Sequence, residues 1–250
     1  RSDYIYMPYR LSRDFGLAAW GNLMDAKIGY KVSIMEGREG DSGSNLEPDS
    51  RFRYDGRIHI ALLDPEFMYG YHATYLGNRR ILTIGAGYST ESGVVYGDRA
   101  GKTDKKDFAA TTLDVNFEYP TSPGTISFGA AAFDYSWGNA YKGADPDTTS
   151  YGYFGERNGF YTRAGFMPSS KIGPGKIQFF LRYESWRYAK LGNVVDQALS
   201  LAEVGFNYYM YKEVLKLTAD YQATRFDVKD STDSNYRDYN TATIGIEMVY

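Results

Sequence analysis

Arginine recurs at alternate positions in RFRYDGRIHIALL, where Arg51, Arg53 and Arg57 share a parity with His59. If that stretch is extended, all four side chains leave the same face. Arg163 in GFYTRAGFM and Arg182 in KIQFFLRYESWRY also lie opposite the apolar parity of their stretches, as do Lys31 and Lys216. A guanidinium fork matches the geometry of phosphate or carboxylate, and rings of charge around a pore set which ions pass. Glu203 and Glu247 fall on the same face with Asp114, Glu118, Glu184 and Asp220, so carboxylates are about as numerous as cations. Two readings stand side by side. Either the cations draw anions, or they pair with the carboxylates and stiffen a wall.

Catalytic chemistry has little to work with. The two histidines, His59 and His72, lack an HExxH arrangement, and there is no cysteine, so no metal site is expected. GDRAGKT (Gly97–Thr103) is one residue short of a phosphate-binding P-loop, and no helical pattern follows it. ILTIGAG lacks the full glycine fingerprint of a dinucleotide site, and a polar stretch follows it instead of a helix. No catalytic residue and no cofactor is expected, and the chain is not read as an enzyme. A net charge of −3 gives no electrostatic case for a nucleic-acid partner.

The elements that would position these charges are strands. Period-two alternation predicts eleven: Phe15–Leu23, Lys27–Met35, Arg51–Leu63, Ile81–Ser89, Phe108–Tyr119, Thr125–Trp137, Gly159–Met167, Lys176–Tyr188, Leu199–Tyr211, Val214–Phe226 and the closing stretch Asn240–Tyr250. One parity is apolar throughout, for example Ile28, Tyr30, Val32 and Ile34, or Ile177, Phe179, Leu181 and Tyr183. Most stretches reach nine residues or more, enough at ~3.3 Å per residue and ~45° tilt to cross the ~25 Å apolar band of an outer membrane. The chain carries 25 Tyr against 14 Phe, and tyrosine gathers at membrane–water interfaces. No apolar run is long enough for a spanning helix.

The connections alternate. Met24–Ala26, Pro120–Gly124, Pro168–Gly175 and Lys212–Glu213 are short, while Glu36–Ser50, Thr90–Asp107, Gly138–Asn158, Ala189–Ala198 and Asp227–Tyr239 are longer and polar. Short turns on one side and long loops on the other are the pattern of an outer-membrane barrel. Asp64–Arg80 is long where a tight turn is due. The fold class expected is therefore an all-β, transmembrane antiparallel β-barrel spanning residues 1–250. An odd strand count does not fit a single-chain bacterial barrel, so strands before Arg1 are expected.

RSDYIYMPYRLSRDFGLAAWGNLMDAKIGYKVSIMEG and LLDPEFMYGYHATYLGNRRILTIGAGYS resemble segments of the phosphate-selective porin O/P family, the first opening a strand hairpin and the second carrying YLG ahead of ILTIGAGY. The closing strand fits as well. That resemblance implies a trimeric, roughly sixteen-stranded barrel in the bacterial outer membrane, of which this chain supplies the last eleven strands. It also implies passive diffusion of small solutes, with anions such as phosphate among them. The partners implied are outer-membrane lipid, the solutes and two further copies of the chain. The family's arginine ladder has no residue-by-residue match here, so none is carried over. Lys31, Arg51, Arg53, Arg57, His59, Arg163, Arg182, Glu203, Lys216 and Glu247 are the pore-lining candidates on alternation alone. The alternative is a structural barrel that sheathes an electron-transfer or other partner protein.

Overall fold

The computed structural model describes residues 14–37, 52–66, 74–98, 101–136, 153–191, 194–212, 214–229 and 237–248. Among the described residues there are eleven strands and no helix. They are β1 (Gly16–Leu23), β2 (Ile28–Met35), β3 (Arg53–Ala61), β4 (Ile81–Asp98), β5 (Thr103–Pro120), β6 (Gly124–Ser136), β7 (Tyr153–Pro168), β8 (Lys176–Leu191), β9 (Val194–Tyr211), β10 (Leu215–Phe226) and β11 (Tyr239–Met248). Each pairs antiparallel with the next, so strand order in the sheet is chain order. Among the described residues the sheet is β-barrel-like but does not close: β1 bonds only to β2, and β11 only to β10.

Three connections differ from expectation, and in one of them, Gly138–Asn158, β7 already starts at Tyr153. Thr90–Asp107 and Ala189–Ala198 read as long polar loops, yet β4 runs on to Asp98, β5 starts at Thr103, β8 reaches Leu191 and β9 starts at Val194. Val94, Tyr96, Val194 and Val195 favour extended backbone, and the ladder passes an irregularity between Glu91 and Val95 without ending. The turn chemistry is confined to a few residues. Lys102 and Asp104 take positive φ at 53° and 59°.

Alternation sorts the side chains by exposure in the reverse of the soluble pattern. Along β8, Phe179, Leu181 and Tyr183 are exposed, while Glu184, Trp186 and Tyr188 are buried. The same exposed apolar parity carries Val32 and Ile34 in β2, Ile58 and Ile60 in β3, Leu113 in β5, Ile126 and Phe128 in β6, and Val204 in β9. A half-buried antiparallel sheet in water puts its apolar face on the core and its polar face outward. Here the charged face is the covered one.

The charged face is also concave. Gln178 of β8 donates to Ser127 of β6 across the intervening strand at 3.3 Å, and Lys176 at the start of β8 reaches the Leu76 carbonyl in the β3–β4 connection at 3.2 Å. That connection lies where a tight turn was due, and its described ends fold onto this face. The Glu118 carboxylate accepts from the Thr74 hydroxyl at 2.7 Å, from the Tyr75 amide at 2.9 Å and from the Gly77 amide at 2.8 Å. Glu66 accepts from the Tyr75 hydroxyl at 2.6 Å and from the Thr83 hydroxyl. Both carboxylates are almost fully covered. Three donors converging on one carboxylate hold the segment against the wall.

Near the long-loop end the concave face turns aromatic. Trp186, Tyr188, Leu191, Leu199 and Phe226 form one buried cluster, Val94, Phe108, Ala110 and Tyr135 another, and Phe133 packs against both. The interior is therefore not polar throughout, as expected from the charged positions; apolar rings occupy one end of it. The Trp186 indole donates to Glu184 at 3.1 Å, so its one polar atom is satisfied while the ring is buried. Trp186→Ala is expected to cost about 3–5 kcal/mol of stability by opening a cavity in this cluster. Equilibrium urea unfolding measures it, and a loss below about 1 kcal/mol would contradict the packing described, since surface substitutions stay within about 0.5 kcal/mol.

Candidate functional site: the concave charged face

The site is built from strands that each contribute one or two inward side chains. Arg57 of β3 crosses β4 to reach Asp114 of β5, with Nη1 donating to Oδ2 at 2.5 Å and Nη2 to Oδ1 at 2.9 Å. The crossing depends on Gly85 of β4. A Cβ there would lie 2.3 Å from the Arg57 guanidinium and 2.8 Å from the Asp114 carboxylate. The result is a two-bond fork, the strong form of an arginine–carboxylate pair.

Several other cations on this face also meet carboxylates. Arg182 lies 2.6 Å from Glu203 and 3.2 Å from Glu184. Arg53 lies 3.3 Å from both Asp14 and Asp55, and Asp55 also accepts from Ser33 at 2.9 Å and Ser89 at 2.5 Å. Lys216 of β10 meets Glu247 of β11 at 2.7 Å, directly opposite in register. Lys31 sits opposite Arg57 in register. His59 is buried, and its ring lies over Gly29 of β2, where a Cβ would collide with it at 2.0 Å. Arg51 and His72 lie outside the described residues.

Arg163 of β7 differs. Among the described residues it makes no ion pair, and its contact is a long one, 3.5 Å from Nη2 to the Asn116 amide oxygen. It lies across Gly129 of β6, whose added Cβ would meet Arg163 Nε at 2.8 Å. Around it is a cavity of about 240 Å³ whose wall includes Arg57, Asp114, Asn116, Phe133, Tyr161 and Arg163. Phe133 and Tyr161 are stacked there, with centroids 6.2 Å apart and planes 27° apart.

The candidates chosen by alternation thus occupy one face, but only Arg57 and Arg163 among them line this cavity. Asn116 shares its parity with Asp114 and Glu118 in TLDVNFEY and was legible on that ground. Phe133, Tyr161 and Glu66 were not. An aromatic residue on the charged parity carries no signal in one sequence, and Glu66 stands in a connection where alternation has no meaning. Among the described residues, no group of three or more His, Cys, Asp or Glu could hold a metal ion.

The β3–β4 connection carries a titratable anchor at its base. Asp64 accepts from the Arg80 amide at 2.8 Å and from its guanidinium at 3.3 Å. The backbone amide of Arg80 does most to hold this carboxyl below its ordinary value; burial pushes it up by less than that, and the Arg80 side chain adds to the lowering. A depressed folded value means that the anchor's contribution is complete above the ordinary carboxylate range, near pH 4, and is lost as pH falls through the lower folded value. A carboxyl-resolved NMR titration should find Asp64 among the most acidic side chains, and Asp64→Asn should flatten the acid limb of stability. An ordinary Asp64 titration would contradict the geometry.

Against known proteins, no family model matches the chain, and no curated protein matches it either.

Proposed function

We propose that the chain forms the wall of an outer-membrane porin, a water-filled pore through which small hydrophilic solutes diffuse without any reaction being catalysed. The observation that carries this is the reversal of faces: the apolar parity is exposed and the charged parity is concave and covered. Each exposed Leu, Ile or Phe taken from water into lipid is worth about 1.5–3 kcal/mol, and every strand from β2 to β10 is paired along both edges through its middle. From Ala109 to Tyr119 the outward parity of β5 has no charge, and ten residues at ~3.3 Å and ~45° tilt cover ~23 Å of depth, close to the band such barrels present.

β1 and β11 run in the same direction, so an odd number of further strands would close the wall in antiparallel register. Five would make the sixteen-stranded barrel that the likeness to phosphate-selective porins implies, and a trimer belongs to the same reading. Arginine pairing bears on selectivity. Among the described residues Arg53, Arg57 and Arg182 are held by carboxylates, and Arg163, which makes no ion pair there, is an inward cation through which anions such as phosphate would be favoured. The preference for anions is therefore weak.

In planar bilayers the protein should give stepwise conductance in KCl, with a reversal potential near zero under a salt gradient. Arg163→Glu should move that potential toward cation preference. Complete absence of conductance would overturn the reading. On the outer face, Leu113→Arg should weaken folding into lipid vesicles by about 2–4 kcal/mol if the position is near the midplane, while a change under about 0.5 kcal/mol would place Leu113 in water.

A further inference from the structure

The cavity between β5, β6 and β7 has a composition that points to a particular solute. Its floor is Gly129 and Ala131, which bring almost no side chain. In register, Gly129 lies between Asn116 and Arg163, and Ala131 between Asp114 and Tyr161. The wall therefore divides into two halves. Toward the long-loop end stand the stacked rings of Phe133 and Tyr161. The polar half is Asp114, level with Tyr161, the Arg57 guanidinium forked onto it, and, two residues nearer the short-turn end, Asn116 and Arg163.

The charges of this wall cancel. Arg57 and Arg163 are matched by Asp114 and Glu66, all four lining the same cavity. The Arg57 fork is spent on Asp114. A phosphate dianion placed here would gain Arg163 and face two carboxylates. Anion sites need donors in excess, and this one presents acceptors in equal number. The polar half instead mixes pure donors (Arg57, Arg163), a pure acceptor (Asp114) and a group that does both (Asn116). A ligand that satisfies all of them carries groups that donate and accept at once, which hydroxyls do. A ligand that also covers Phe133 and Tyr161 must have an apolar face.

We propose that this cavity is a subsite for a neutral polyhydroxylated solute, a single sugar ring laid with its C–H face on Phe133 and Tyr161 and its hydroxyls on Asp114, Asn116 and Arg163. The volume of about 240 Å³ lies below the roughly 300–1,000 Å³ of sites for drug-sized ligands, so one ring fits and a chain would have to extend beyond it. Proximity to the aromatic clusters at the long-loop end gives the ring an apolar approach, since Phe133 packs against both. The inference rests on the porin reading for its meaning in transport, but binding itself does not require a pore.

The experiment is calorimetric titration of the whole purified protein with methyl α-glucoside, methyl α-galactoside, methyl α-mannoside and inorganic phosphate, run beside conductance on the same preparation. At least one glycoside should bind saturably in the millimolar range, without competition from phosphate. Asn116→Leu should weaken it at least tenfold. Asp114→Asn, which frees the Arg57 fork, should reverse the preference and admit phosphate. Tyr161→Leu, which removes one ring and leaves Phe133 in its clusters, should weaken the glycoside without creating phosphate binding. Protein that conducts but binds none of the glycosides, or in which phosphate displaces them, overturns the subsite and leaves the pore. Protein that binds a glycoside but never conducts keeps the subsite and overturns the pore.

Discussion

A strand sends successive side chains to opposite faces, and in this chain the charges in the middle of the strands leave on one face, while exceptions such as Asp134 and the Arg187–Asp196 pair stand toward strand ends. That constraint governs the rest. With eleven strands joined in chain order, the charged parity of each meets the charged parity of the next, so carboxylates and guanidinium groups are brought within bonding distance by the sheet itself. Asp114 and Arg57 are 57 residues apart in the chain, and in space only β4 lies between their strands. Unpaired charges gathered on a concave surface would repel and would each carry the cost of partial burial. Pairing removes most of both, and it leaves a wall that is close to neutral.

Glycine decides which pairs form. A long side chain can lie flat over a neighbouring strand only where that strand has no Cβ, and Gly85 under the Arg57–Asp114 fork and Gly129 under Arg163 are such places. The same device produces opposite outcomes. At Gly85 the arginine finds a carboxylate on the far side; at Gly129 it finds the amide of Asn116 at 3.5 Å. One cavity adjoins both, with the completed Arg57–Asp114 pair and the weakly held Arg163 guanidinium in its wall and the small residues Gly129 and Ala131 beneath.

Much of this architecture was legible in the residue pattern, and the losses have physical causes. Period two located the eleven strands and separated the two faces, since a one-residue slip would have put Arg182 beside Phe179 and Leu181 on the apolar side. Strand ends were less legible: Val94–Tyr96 and Val194–Val195 sit among Gly, Asp and Lys residues that read as loop, and only cross-strand pairing shows the hairpins continuing. The choice between free and paired arginines was not legible, because it depends on contacts across two strands. The aromatic end of the concave face was missed for a related reason. Phe133 and Trp186 lie on the charged parity, and nothing in alternation says that one end of a face differs from its middle. The purpose of the long β3–β4 connection emerged only from Glu118, whose carboxylate gathers Thr74, Tyr75 and Gly77.

The central claim is that the exposed apolar parity meets lipid and the charged parity meets water. Nitroxide scanning of β5 from Leu113 to Glu118, with the protein reconstituted in bilayers, tests it most directly. Labels at 113, 115 and 117 should be relaxed by lipid-soluble oxygen, and labels at 114, 116 and 118 by a water-soluble nickel chelate, alternating residue by residue. Uniform access of the nickel reagent to both parities would contradict the account, because it would place the whole strand in water.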